Sequence, residues 1–113
     1  MKTVTIDVAS REDFRKRVGA AFGGKQQGAR ISFATPELLW RVLTEKRWDI
    51  LKAMAKQGAL GVREIARRVD RDVKAVHADV HALLDAGILR KNDAGKIEFP
   101  FDAVRVDFVL EAA

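Results

Sequence analysis

The side chains with the clearest chemistry in this sequence are cationic, and many of them lie in its second half. Lysines and arginines recur between residues 63 and 74 and again between residues 90 and 96. Such side chains neutralise phosphates and donate hydrogen bonds to guanine edges, so the pattern favours a polyanionic partner. The alternative interpretation is that these charges only solvate the outer faces of the protein.

Two histidines, His77 and His81, are four residues apart, which is a spacing that can place both imidazoles on one metal ion. The sequence contains no cysteine, and Asp85, as a third ligand, would lie on the same helix. We therefore favour a polar contact with DNA that is sensitive to pH. Neither a metal nor a cofactor is predicted.

The acidic residues near these cations do not form a catalytic pattern. They fall near helix starts or near basic partners, where carboxylates stabilise helix N-termini or pair with arginines. No combination of a nucleophile, a base and an orienting group occurs in the sequence, so no enzyme is predicted. The acids in question are Glu64, Asp70, Asp72 and Asp79.

Length and composition favour one domain with a modest core, because the 113 residues are 48% hydrophobic and 33% charged. The net charge of +5 is divided unevenly: residues 1–34 and 35–92 each carry +4, and residues 93–113 carry −3. A basic balance alone is only a weak indication of a nucleic-acid partner. No apolar run reaches the roughly 20 residues of a membrane helix, and no signal-peptide core follows Met1, so we expect a cytoplasmic protein.

Helix signals place the cationic residues on two consecutive helices. The pattern predicts helices over residues 62–69 and 73–86, joined by a tight turn. Asp72 is the expected N-cap of the second helix, and Gly87 is its expected stop. Two short helices joined in this way are typical of a helix-turn-helix. On a helical wheel, the apolar side of the second helix holds Val73, Val76, Val80, Leu83 and Leu84, and the outer side holds Arg71, Lys74, Ala75, Ala78, His81 and Ala82.

Strand and turn signals surround this pair of helices. Alternating polar and apolar residues predict strands over residues 2–8 and 103–110. Residues 88–92 and 96–99 predict a hairpin around Gly95, and such a hairpin is the wing of a winged helix. The other predicted elements are a short strand at residues 31–33, a helix over residues 10–21, a loop at residues 23–28, a short helix that starts at Pro36 with Thr35 as its cap, and a helix over residues 44–57 capped by Thr44.

Trp40 and Trp48, together with Leu39 and Leu43, are a second group of residues that invites a functional interpretation. Aromatic side chains at helical spacing are typical of a hydrophobic core or of a dimer seam, and we favour that interpretation. The alternative is a pocket for a small ligand.

Several separated segments of the chain resemble the MarR-type winged helix-turn-helix transcriptional regulators. Within that superfamily the chain is most similar to a group of small predicted regulators of bacteria and archaea, over roughly residues 31–110. The segments that carry the resemblance are Pro36–Trp40, Lys46–Trp48, Arg63–Val69, Asp72–Val80, Leu83–Leu84, Gly87 and Val106–Phe108. The resemblance implies DNA binding, and it also suggests an antitoxin role, because members of this group are often described as antitoxins encoded beside a small toxin.

Two positions depart from the pattern of that group. Asp70 stands where the turn between the helices usually carries glycine, and Ala78 stands where relatives tend to carry a longer polar residue. Aspartate is one of the few residues besides glycine that adopt the left-handed conformation, so we expect the turn to form.

These observations predict an α+β fold with three parts. Residues 1–34 form an N-terminal strand and helix, residues 35–100 form a winged helix-turn-helix, and residues 101–113 form a C-terminal strand. The two terminal strands have edges that need partners, so we expect them to pair with each other or across a two-fold dimer.

The predicted function is that of a sequence-specific DNA-binding repressor that acts as a homodimer. In the more specific form of this hypothesis, the protein is an autoregulating antitoxin that binds a cognate toxin. The alternative is a protein-interaction module that uses the winged helix to hold a partner without binding DNA. The DNA-binding hypothesis fails if Arg71 and Lys74 are covered by the protein's own chain or by a second copy of it. The predicted DNA-contacting residues are Arg63, Arg67, Arg68, Arg71, Lys74, Ala75, His77, Ala78, His81, Arg90, Lys91, Asn92 and Lys96.

Overall fold

The computed structural model describes residues 1–9 and 29–109 of the chain. The predicted helix over residues 10–21, the loop at residues 23–28 and the end of the last predicted strand at Leu110 lie outside the described residues. The predicted α+β class is confirmed. The elements are β1 (Thr3–Val8), β2 (Arg30–Phe33), α1 (Pro36–Val42), α2 (Glu45–Met54), α3 (Val62–Val69), α4 (Val73–Asp85), β3 (Arg90–Lys91), β4 (Ile97–Glu98) and β5 (Ala103–Asp107).

A three-stranded sheet joins the two ends of the described chain. Its order is β2-β1-β5 and both pairings are parallel, with Ile6 opposite Ile31 on one side and opposite Val106 on the other. The central strand β1 is covered, and Val4 and Ile6 have no exposed surface. The predicted pairing of the first and last strands is therefore confirmed, and it occurs within one chain.

Asp7 is a buried acid of this sheet, with only 4% of its surface exposed. Its carboxylate accepts a hydrogen bond of 2.6 Å from the Ser32 hydroxyl, and it also pairs with the Arg30 guanidinium. Both partners come from β2, the neighbouring strand. Because a buried carboxylate must be paired to be tolerated, these contacts help to specify which strand lies beside β1.

The helices and a hairpin complete the hydrophobic core. Helices α2, α3 and α4 pack against one another, and α1 packs against β1 and β2. β3 and β4 pair antiparallel, and Gly95 in their turn has a φ of 80°. Leu60, between α2 and α3, exchanges two backbone hydrogen bonds of 2.8 Å with Ile97, so the hairpin is attached to the helices. No helix among the described residues is long and apolar enough to span a membrane.

The predicted helix starts are confirmed, because side-chain oxygens cap them locally. Thr35 accepts a hydrogen bond from the Leu38 amide at 3.2 Å, and Thr44 accepts one from the Arg47 amide at 3.3 Å. The end of α2 was predicted too late, at Gln57, whereas the helix ends at Met54. The backbone leaves the helical conformation at Ala55, with φ −57° and ψ 127°, and Lys56 follows in the left-handed conformation with φ 62°.

Asp70 adopts the left-handed conformation that its position was predicted to need, with φ 54° and ψ 52°. We expect Asp70→Val to lower the free energy of unfolding by about 1–2 kcal/mol, because a branched side chain clashes with the backbone there. Asp70→Gly should leave that free energy unchanged or slightly higher. Urea denaturation of both variants checks this, and equal stabilities would show that the turn imposes no such requirement.

Candidate nucleic-acid interface

Helix α4 separates a buried side from an exposed side, as its sequence predicts. Val76, Val80 and Leu83 have no exposed surface. The exposed residues on the outer side include Lys74, Ala75, His77, Ala78 and His81. Val73 was predicted to lie on the apolar side but is 42% exposed. It is the first residue of the helix, where the chain has only just left the turn and the core no longer covers it.

The α4 helix begins at a well-formed cap. An oxygen of the Asp72 carboxylate accepts hydrogen bonds from the Lys74 amide at 3.1 Å and from the Ala75 amide at 3.3 Å. This carboxylate stabilises the positive end of the helix and orients its first turn. Lys74 and Ala75 therefore lie in the capped first turn of α4.

Arg71 departs from the prediction that it projects outward. Its side chain is only 19% exposed, and its Nη2 atom lies 2.8 Å from Oδ2 of Asp79. The other terminal nitrogen, Nη1, is buried and has no hydrogen-bond partner among the described residues. The protein's own chain thus covers Arg71 but not Lys74, so the prediction of an outward guanidinium is wrong for Arg71.

Asp79 connects two arginines from different parts of the chain. Besides Arg71, it accepts a hydrogen bond of 3.0 Å from Nε of Arg47. The Nη1 atom of Arg47 also donates to the carbonyl oxygens of Arg41, at 3.3 Å, and of Val42, at 3.1 Å. The cluster therefore ties α4 to the turn before it, to α2 and to the end of α1.

Charge and burial act in opposite directions on Asp79. Burial raises the pKa of its carboxyl group, but the hydrogen bonds from Arg47 and Arg71 outweigh this effect and hold the pKa below the ordinary value of 3.8. The carboxylate is therefore ionised at neutral pH and holds both arginines.

On α3, the predicted arginines are exposed to different degrees. Arg63 is exposed, and no described acid forms an ion pair with it. Arg67 and Arg68, whose side chains are 77% and 34% exposed, both pair with Glu64. Their hydrogen bonds lower the pKa of Glu64. Acids near basic partners were predicted to pair with arginines, and Glu64 confirms this.

The hairpin contributes its cations unequally. Lys91 and Lys96 are exposed, whereas Arg90 is paired with Glu98 at 2.8 Å. Asn92 was predicted as a DNA contact, but its Oδ1 atom accepts hydrogen bonds from the amides of Ala94, at 3.0 Å, and of Lys96, at 2.9 Å. Its carbonyl oxygen is thus committed to the turn, a frequent role of asparagine at such positions.

His77 and His81 face each other on the outer side of α4. Their Nε2 atoms are 3.1 Å apart, so one ring N–H donates a hydrogen bond and the other ring nitrogen accepts it. Within residues 1–9 and 29–109, no group of three or more metal-ligating side chains comes together. Both imidazoles also offer polar surface on the exposed side of the helix.

The tryptophans form an open groove that their spacing alone did not reveal. Leu39 and Leu43 are buried, as predicted for core residues, but Trp40 is 55% exposed. Its ring packs edge-on against Phe108, with the ring centroids 5.8 Å apart. Of the two predicted roles, a core position is therefore wrong for Trp40, and a dimer seam stays a prediction. The groove has a volume of about 420 Å³ and is lined by Trp40, Leu43, Thr44, Glu45, Trp48 and Val106.

Sequence comparison places helices α2, α3 and α4 and the hairpin in a single family. Residues 42–106 match the model of the family HVO_A0114, and this segment is more than half of the 113-residue chain. The chain belongs to the HVO_A0114 family. The HVO_A0114 segment contains α2, α3, α4, the hairpin and most of β5, and therefore the whole candidate interface. No curated protein and no solved structure matches the chain.

Proposed function

We propose that the protein is a sequence-specific DNA-binding transcriptional repressor and that residues 35–100 are a winged helix-turn-helix. The support is the order of the elements: two helices meet at a left-handed residue, and an attached antiparallel hairpin follows them. In proteins of that architecture the second helix enters the major groove and the hairpin reaches flanking backbone. The resemblance to MarR-type regulators points in the same direction.

The single observation that carries the proposal is the composition of the exposed side of α4. Its outer residues are small or polar, and the exposed cations Arg63 and Arg67 on α3 and Lys91 and Lys96 on the hairpin flank it in sequence. Small residues let the backbone approach base edges and contact thymine methyl groups, while lysines and arginines neutralise phosphates. This combination suits a DNA duplex better than an apolar protein surface.

In this mechanism the exposed and covered residues have different roles. Lys74, in the first turn of α4, reaches a phosphate or a guanine edge, and the histidines make polar contacts further along the groove. Arg71 is a positioning residue, since its contact with Asp79 holds the turn against α4. The cations of α3 and of the hairpin neutralise the flanking backbone.

An electrophoretic shift assay on the DNA upstream of the protein's own gene tests the proposal. We expect a shift on this DNA that is stronger than on unrelated DNA of the same length, and an affinity that falls steeply as salt is raised, because bound cations displace counterions. Absence of a shift, or binding that is insensitive to salt, contradicts the proposal. That result would favour the alternative, a module that holds a partner protein.

A further inference from the structure

The outer edge of β5 lies next to apolar grooves. β5 ends the order β2-β1-β5, so no described strand pairs with its outer edge. Such an edge presents N–H and C=O groups to which another strand can bind. The groove of Trp40 and Trp48 reaches Val106 of this strand, and a smaller groove of about 150 Å³ is lined by Ala103 and Val104.

Backbone geometry determines which residues of β5 face the free edge. The Ala103 N–H donates to the Lys2 carbonyl oxygen at 3.3 Å, toward β1. Because consecutive residues of a strand direct their backbone groups to opposite edges, Arg105 also directs its groups to β1. Val104 and Val106 then direct their N–H and C=O groups outward. A further strand must therefore bind through these two valines.

The charges on β5 favour a second copy of the same strand. Arg105 and Asp107 are on the same face, with side chains 70% and 58% exposed, and within one chain their charged atoms come no closer than 3.8 Å. If two copies pair antiparallel about a two-fold axis through Val106, Arg105 of each copy lies opposite Asp107 of the other. An axis through Arg105 or Asp107 would instead put like charges opposite each other, which is unfavourable.

We infer that β5 pairs antiparallel with β5 of a second copy about a two-fold axis through Val106, which joins the two sheets into one. Val106 then exchanges both of its backbone hydrogen bonds with its counterpart, and the charged residues occupy the positions where opposing side chains are closest. The same register places Val104, at the smaller groove, opposite Phe108 of the second copy. The dimer goes beyond the proposed function and does not depend on DNA binding.

The deciding experiment exchanges the charged residues in trans. By sedimentation, we expect the unmodified protein to be a dimer at micromolar concentration. Arg105→Asp and Asp107→Arg, each alone, should raise the dimer dissociation constant roughly tenfold or more, because both cross-strand pairs become repulsive. Mixing the two variants should restore a dimer with one copy of each, since opposite charges then face each other again.

This restoration separates the interface from folding effects, because a variant that fails to fold cannot be rescued by mixing. A monomeric unmodified protein, or a mixture that stays monomeric, would overturn the inference. These results would also be obtained if a different protein, and not a second copy, binds the outer edge of β5. Circular dichroism of each variant confirms that it is folded before the measurement.

A cysteine placed on the proposed axis tests the register independently. The natural sequence has no cysteine, so a single substitution creates a single thiol per chain. Residues opposite each other in a hydrogen-bonded antiparallel pair have Cα atoms about 5.5 Å apart, which is within the range of a disulfide. Val106→Cys should therefore form a disulfide-linked dimer on oxidation, and Ala94→Cys, in the hairpin turn, should not. Equal crosslinking of the two variants would overturn the register.

Discussion

Asp79→Ala should lower the free energy of unfolding by roughly 3 kcal/mol, the low end of the cost of removing one partner from a buried ion pair. Asp79 is 16% exposed and binds two guanidinium groups, those of Arg47 and Arg71. Without it, both groups lose their only carboxylate among the described residues. Because Arg71 already has one buried nitrogen without a hydrogen-bond partner among the described residues, a buried guanidinium that also lacks Asp79 becomes unfavourable. Urea denaturation measures the change.

Asp85→Ala is the matched control for this prediction, since it removes an acid from the same helix. Asp85 is exposed and forms no ion pair within the described part of the chain, so its loss should change the free energy of unfolding by no more than about 0.5 kcal/mol. If the two variants are equally stable, the arginine cluster does not hold α4 in place.

The same cluster makes the free energy of unfolding depend on pH. The folded state holds the pKa of Asp79 below its ordinary value of 3.8. The stabilisation that the Asp79 carboxylate contributes is therefore complete at pH values above 3.8. It is lost as the pH falls through the lower, folded-state pKa. The difference in unfolding free energy between the natural protein and Asp79→Ala should therefore narrow as the pH falls from neutral to about pH 3. A difference that stays constant over that range would contradict the ionised cluster.

Replacing Arg63 and Lys74 together by alanine should weaken DNA binding roughly 10- to 100-fold at fixed salt and reduce the slope of log affinity against log salt by about 2. These two cations are exposed, one on α3 and one at the start of α4, and no described acid pairs with either. They are therefore free to neutralise phosphates. Titration of operator DNA at several salt concentrations provides both quantities.

Lys46→Ala combined with Lys52→Ala is the control for that variant. These lysines are exposed on α2, outside the proposed interface, and their removal changes the net charge by the same amount. If only the total charge matters, both double variants should lose the same affinity. The proposed interface predicts that the α2 variant changes affinity by less than about threefold.

Local features of the chain could be predicted from the sequence alone. Thr35, Thr44 and Asp72 cap helices because each oxygen reaches an amide two or three residues ahead, and no distant part of the chain is needed. Asp70 in the turn follows the same logic, since its backbone conformation depends on its own side chain and on its neighbours. Pattern and chemistry therefore sufficed for these elements.

Arg71 shows where this reasoning stops. A helical wheel places a residue relative to its own helix only, so it assigned Arg71 to the outer side. The structure brings Asp79 and Arg47 together from positions 32 residues apart, and the Asp79 carboxylate held there also pairs with the Arg71 guanidinium. Trp40 is similar: its spacing is that of a core residue, but no described element covers it fully.

The amino-acid sequence by itself determined the order of helices and strands, the cap residues and the apolar side of α4, because each depends on interactions within a few residues of the chain. Only the tertiary structure decided that β1 lies between β2 and β5, that Arg71 is turned inward and that β5 is the last of the described strands in its sheet. The strand order, and the Arg47–Asp79 contact beside Arg71, depend on residues that are distant in the chain, and such contacts form only when the hydrophobic core brings those segments together.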